Sequence, residues 1–127
     1  MHSSSYNIIG FEVNASEEFL IWFKTLDDKS KEAVHSRIVL LEILGPNLSR
    51  PYSDVLHGSK KCSNLKELRT STETHELRIA YYFDPKRKAF LLTGGDKKGK
   101  NQKRFYKNLI SEAEKIIEKH EENLEDI

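Results

Sequence analysis

Residues 77–84 alternate, with Leu77, Ile79, Tyr81 and Phe83 on one side of an extended chain and Arg78, Ala80 and Tyr82 on the other. This predicts a strand with two distinct faces. Runs of strand formers at 65–70 and 89–94 flank it, and Asp84-Pro85-Lys86-Arg87 supplies the second turn, because proline suits a turn and cannot donate to a ladder. Before them, 8–13 alternates loosely and is read as a first strand. Asn14, with Glu17 three residues on, resembles a capping box. Phe19, Leu20, Phe23 and Leu26 then form one apolar stripe. Asp27-Asp28 opens a second helix, in which Ala33, Val34, Arg37, Ile38, Leu41 and Leu44 recur at helical spacing until Gly45-Pro46 stops it. The pair is an αα-hairpin, with Trp22 packed inside it. Residues 47–64 show little periodicity and read as a long connection, a kind of segment often tied to function. After Gly99 a last helix turns Phe105, Leu109, Ala113 and Ile116 inward and ends in an acidic run through Asp126.

The order β, α, α, β, β, β, α predicts an α+β fold, an antiparallel meander with the helices packed on one side. If the hairpin loop centres on Glu73 and Thr74, Arg69 faces Arg78, and both guanidinium groups share a sheet face with Tyr82. Leu68 and Ile79 then point together into the core. The 127 residues suffice for a single domain, 1–127, with 1–6 expected flexible and 122–127 a frayed acidic tail.

The formal net charge is only +1, but from Arg50 to Lys107 there are fifteen Lys and Arg against six Asp and Glu. The middle is basic and the ends acidic. A lone Cys62 excludes an intramolecular disulfide, and neither His57 nor His75 has a partner at metal-ligand spacing, so no metal and no cofactor is expected. The N-terminus lacks the pattern of a secretory signal and no apolar run is long enough to span a membrane, which predicts a cytoplasmic protein.

Lys97, Lys98, Lys100, Lys103 and Arg104 crowd the start of the last helix, where free N–H groups and the macrodipole already favour anions. A phosphate resolves that conflict, and Tyr106 on the first turn suits a base stacked beside it.

Three stretches carry a resemblance: Leu65-Lys66-Glu67-Leu68-Arg69, the run from Arg78-Ile79-Ala80 through Asp84-Pro85-Lys86-Arg87, and Gly95-Asp96-Lys97 through Lys103-Arg104-Phe105-Tyr106-Lys107. In order and spacing the chain resembles the phage-derived HigB-like branch of the RelE/ParE toxin superfamily. The resemblance implies the toxin of a type II toxin–antitoxin pair, with a helix-turn-helix antitoxin as partner. It further implies a ribosome-dependent endoribonuclease acting on mRNA. ParE-type members instead inhibit DNA gyrase, and a phage-derived protein that binds RNA without cutting it is a third reading.

Carried over residue by residue, the resemblance implies that Arg69, Arg78, Lys97 and Tyr106 are catalytic. Lys66, Tyr82, Lys98, Lys100, Lys103 and Arg104 are expected to bind RNA. Attack of a 2′-OH on the adjacent phosphorus builds negative charge on the phosphoryl oxygens, so fixed cations should be the largest catalytic contribution. Arg69 and Arg78 can clamp those oxygens bidentately. Crowding among Lys97, Lys98 and Lys100 would favour a lysine base. The duller alternative pairs Arg69 and Arg78 with Glu67 or Glu76 as cross-strand neighbours. The acidic C-terminal face is read as solvated, shielding the site or meeting the antitoxin.

Overall fold

The computed structural model describes residues 10–125. Eight regular elements follow one another: β1 (Val13–Ala15), α1 (Glu17–Lys24), α2 (Asp28–Leu44), β2 (Ser53–Val55), β3 (Lys66–Ser71), β4 (Glu76–Phe83), β5 (Ala89–Asp96) and α3 (Gln102–Glu125). The strands make one sheet in the order β1-β5-β4-β3-β2, with β1 parallel to β5 and every other pair antiparallel. The register read from the sequence is the one observed, with Leu68 opposite Ile79 and Arg69 opposite Arg78. The first strand starts later than expected, at Val13, and residues 8 and 9 lie outside the described residues, as do 1–6. Strand β2, inside the long connection, was not expected. Three residues are too few to show alternation, and the Ser53 hydroxyl anchors the strand by a 2.7 Å hydrogen bond with the Tyr81 hydroxyl.

Local chemistry accounts for the helix ends. Ser16, rather than Asn14, caps α1: its Oγ accepts the Phe19 N–H at 2.9 Å, while Asn14 sits within β1. Asp27 caps α2 by accepting the Ser30 N–H at 2.7 Å, and Gly45 ends it at φ +53, a conformation costly for residues with a Cβ. At the other end of the chain, α3 runs through Glu125, and residues 126 and 127 of the expected tail lie outside the described residues.

The helices cover both faces of the sheet, which corrects the one-sided packing expected from the sequence. Phe19 of α1 and Val34 and Leu41 of α2 pack with Leu68, Leu77, Ile79, Tyr81 and Leu91. On the opposite face Leu109, Ala113, Ile116 and Ile117 of α3 pack with Ala80, Tyr82, Phe90 and Leu92. Six consecutive buried residues in β4 are the physical reason, since a strand with apolar side chains on both sides needs cover on both. The α1–α2 stripe is narrower than it reads, because Leu20 and Leu44 are exposed.

The end of β5 is thinned by two glycines. Trp22 reaches out of the hairpin onto Gly94, where a Cβ would meet its ring at 2.4 Å, and Phe105 approaches Gly95 from α3, where a Cβ would meet its ring at 2.9 Å. Phe105 at the start of α3 is thereby held against the end of β5. Among the described residues no helix is long and apolar enough to cross a membrane.

Candidate active site and nucleic-acid interface

The turn from β5 into α3 folds back at Gly99, φ +73, with the Lys100 N–H donating to the Lys97 carbonyl at 3.1 Å. Asn101 then caps the helix, its Oδ1 accepting the Arg104 N–H at 2.9 Å. Helical spacing divides the residues that follow. Lys103, Tyr106, Lys107 and Ile110 share one face, and Arg104, Phe105, Asn108 and Glu112 share another.

Four of the residues singled out in the sequence come together, around a fifth that was seen only as a pairing partner. Glu67 is buried on the α3 face of β3. Its Oε1 accepts a 2.9 Å hydrogen bond from the Tyr106 hydroxyl and lies 3.8 Å from Arg78 Nε, while its Oε2 lies 3.8 Å from Arg69 Nε. Lys97 Nζ stands 5.9 Å from the centre of the Tyr106 ring and 3.9 Å from Glu76 Oε2. One buried carboxylate therefore offsets only part of the charge of two arginines. Both distances exceed a hydrogen bond, so the guanidinium groups are held near Glu67 without being locked to it.

Burial pushes the Glu67 carboxyl above its usual range, against the opposing pull of the Tyr106 hydrogen bond and the two arginines. Burial, then the hydrogen bond to Glu67, raises the Tyr106 phenol, so it stays protonated near neutral pH. Arg78 is 6% exposed; it donates from Nη1 to the Leu77 carbonyl at 2.9 Å, and its Nε has no hydrogen-bond partner. An orphaned, charged donor of this kind costs at least about 1–3 kcal/mol.

The other expected RNA contacts do not join this group. Lys66 shares its side of β3 with Leu68, opposite Glu67 and Arg69, and lies 5.9 Å over the Phe83 ring. Tyr82 is 2% exposed, packed under α3 with its hydroxyl donating to Glu121 at 2.8 Å, so it cannot serve as a base platform. Lys98 reaches back to the Glu73 carbonyl at 3.0 Å. Lys100 lies 5.9 Å over the Phe105 ring and, with Arg104, lines a separate cleft of about 470 Å³ against Gly94 and Gly95. Lys103 lies on the same face of α3 as Tyr106 but lines the adjoining groove rather than the Glu67 cluster. The lysine crowding suggested by the sequence is thus dispersed by the turn and the helix.

The cleft beside the buried group has a volume of about 360 Å³ and is lined by Arg50, Asp54, His57, Glu67, Arg69 and Tyr106, among others. Two of these had been set aside in the sequence. Glu67 was legible only as a neutralising neighbour, although its position between two same-face arginines follows from the predicted register. His57, an exposed loop residue, had no local signal at all. Among the described residues no group of three or more His, Cys, Asp or Glu is arranged to hold a metal ion. Cys62 is buried and its thiol is pushed up by that burial, an unfavourable setting for a nucleophile.

Comparison with known proteins agrees with this architecture. Residues 21–118 match the family described as phage derived protein Gp49-like (DUF891). The chain is 44% identical over 97 residues to a Mycobacterium tuberculosis protein named "Putative toxin HigB3", an alignment covering 76% of this chain and 82% of that one. It is 35% identical over 111 residues to "Putative toxin HigB2" of the same organism, covering 87% of this chain and 54% of the relative. In three dimensions it is similar to a free-state mutant of the E. coli toxin RelE, with a TM-score of 0.54 at 13% identity, covering 80% of this chain and 95% of the other, which is a likeness of fold. With most of its length inside the family match and a relative aligned over most of that relative's own length, the chain belongs to the Gp49-like phage-derived family, alongside relatives named as HigB toxins.

Proposed function

We propose that the protein is the toxin of a type II toxin–antitoxin pair and cuts mRNA on the ribosome by metal-independent attack of a 2′-OH on the adjacent phosphorus. Its partners on this reading are a helix-turn-helix antitoxin, the ribosome and mRNA. The observation that carries the proposal is the gathering of two arginines and Tyr106 around Glu67, with Arg69 on the wall of the cleft and the Arg78 guanidinium buried behind it, its Nε unpartnered. Arg69 takes a phosphoryl oxygen at the cleft, and Arg78 adds fixed positive charge from behind it.

Glu67 is the base. A carboxylate whose proton affinity is raised by burial is better matched to accepting the 2′-OH proton than an exposed one. The proton passes to Glu67, the 2′ oxygen bonds to phosphorus, and the bond to the 5′ oxygen breaks, leaving a 2′,3′-cyclic phosphate. His57, on the same cleft, protonates the departing 5′ oxygen. Tyr106 orients Glu67 and moves aside as the phosphate seats, its ring then offering a stacking surface. Lys97 adds charge from beneath that ring.

Controlled expression with primer extension on a reporter mRNA tests this reading. The expected result is new 5′ ends for the wild type that disappear in Arg78→Ala and weaken in Lys97→Ala. Arrest of replication with intact mRNA would point to a topoisomerase inhibitor instead. New ends that persist in both variants would remove these residues from the site.

A further inference from the structure

A second groove opens off the cleft just described, and the two share His57, Tyr106 and Ile110 as walls. It has a volume of about 640 Å³ and runs between the loop at 57–61 and the face of α3 that carries Lys103, Lys107 and Ile110. Gly58, at φ +104, brings the loop over the helix, with a Cβ there 3.8 Å from Ile110 Cδ1. The floor is aliphatic and aromatic, and the rim is basic. Lys61 is paired with Glu118 at 3.7 Å, whereas Lys60, Lys103 and Lys107 form no ion pair among the described residues. Glu114, the acidic residue on this wall, is engaged by the Ser59 hydroxyl at 2.7 Å and the Lys60 N–H at 3.1 Å. That engagement ties the loop to α3 and leaves the lysine side chains free.

We propose that this groove holds a nucleotide flanking the scissile phosphodiester, with its base on Ile110 and the Tyr106 edge and its phosphates against Lys60 and Lys107. The inference rests on the phosphodiester reading of the adjoining cleft. Single-stranded RNA fits better than a peptide because an apolar floor inside a ring of unpaired cations meets both halves of a nucleotide, and because the groove is continuous with Arg69 and Glu67. Helical spacing puts Lys103 and Lys107 one turn apart on the strand's path.

The test is fluorescence anisotropy of the full chain with labelled RNA that carries a 2′-deoxy sugar at the cleavage position, as a dinucleotide and as a hexanucleotide. A Lys60→Ala/Lys107→Ala double variant is expected to bind the hexanucleotide about tenfold more weakly, near 1.4 kcal/mol. Its slope of log affinity against log salt is expected to fall by about 1.4, at about 0.7 per phosphate contact on a single strand. Dinucleotide binding should stay at the wild-type level. Ile110→Ala is expected to weaken the hexanucleotide without changing the slope. Unchanged hexanucleotide affinity and slope in the double variant would overturn the proposal, as would loss of binding to an acidic peptide with RNA binding intact. Either result leaves the cleft reading to stand or fall on the Arg78→Ala cleavage data.

Discussion

Replacing Glu67 by glutamine separates the proposed chemistry from the fold. The side chain keeps its shape, and the amide oxygen can still accept the Tyr106 hydroxyl that now lies 2.9 Å from Oε1. What is lost is a proton acceptor. A positioned general base contributes about 10²–10⁴-fold, so cleavage should fall by that factor, about 3–5 kcal/mol of transition-state stabilisation. Stability should move the other way. Burial raises the Glu67 carboxyl even with Arg69 and Arg78 each at 3.8 Å, which means that the folded state holds the charged form at a disadvantage. A raised carboxyl makes the folded state bind its proton more tightly than the unfolded chain does. The wild type therefore loses stability as pH rises from the unfolded value of about 4.3 toward the folded one, and a neutral glutamine removes that loss. The assay pairs cleavage of a reporter mRNA in a translation mixture with thermal melting at pH 7. The expected outcome is a strong fall in rate with a melting midpoint no lower than wild type. Cleavage within about threefold of wild type would refute the base assignment, and a large drop in midpoint would show that attraction to the arginines outweighs burial.

Three further outcomes follow from the packing. Tyr82→Phe removes the 2.8 Å bond to Glu121 and nothing in the cleft; it should cost about 1 kcal/mol in chemical denaturation and leave RNA affinity unchanged. Gly94→Ala drives a methyl group to within 2.4 Å of the Trp22 ring, so denaturant unfolding should show a loss of about 1–3 kcal/mol with a shift in Trp22 emission, and an unperturbed midpoint would mean that Trp22 does not cover β5. His75 donates from Nδ1 to the Asp96 carboxylate, lies 3.3 Å from Asp27, and is raised by the Asp96 hydrogen bond. Its contribution is fully present below the unfolded value of about 6.5 and is lost as pH rises through the folded value. Melting curves of the wild type should therefore decline on the alkaline side of pH 6.5 more steeply than those of His75→Gln, and parallel curves would rule the contact out as a source of stability.

Much of this architecture was legible because strand alternation fixes phase. Once Leu77, Ile79 and Tyr81 define an inward face, the partner of Ile79 must be apolar, which selects Leu68 and brings Arg69 opposite Arg78. The same parity argues against Lys66, which is one residue out of step with Glu67 and Arg69. Tyr82 has the right parity but lies four residues from Arg78, about 13 Å along the strand, under the far end of α3. The two-sided helical cover was hidden because the face carrying Arg78, Ala80 and Tyr82 was read as a ligand face with the two arginines rather than as a second apolar face needing its own helical layer. Convergence of the basic helix start was overread, since a turn through Gly99 and a 3.6-residue helical period send Lys100 and Arg104 to one cleft and Lys103 to another. His57 depends on a loop path and an unexpected three-residue strand, and no local pattern encodes either.

The most direct test of the central claim, that the arginines gathered around Glu67 grip a phosphodiester for attack by its own 2′-OH, is the chemistry of the cut ends. mRNA recovered from translating ribosomes exposed to the purified protein in excess EDTA-treated and untreated arms, with ribosomes fixed before chelation, should carry 2′,3′-cyclic phosphate and 5′-hydroxyl termini in equal yield, and none with Arg78→Ala. Intact mRNA, or 3′-hydroxyl and 5′-phosphate ends, would contradict it.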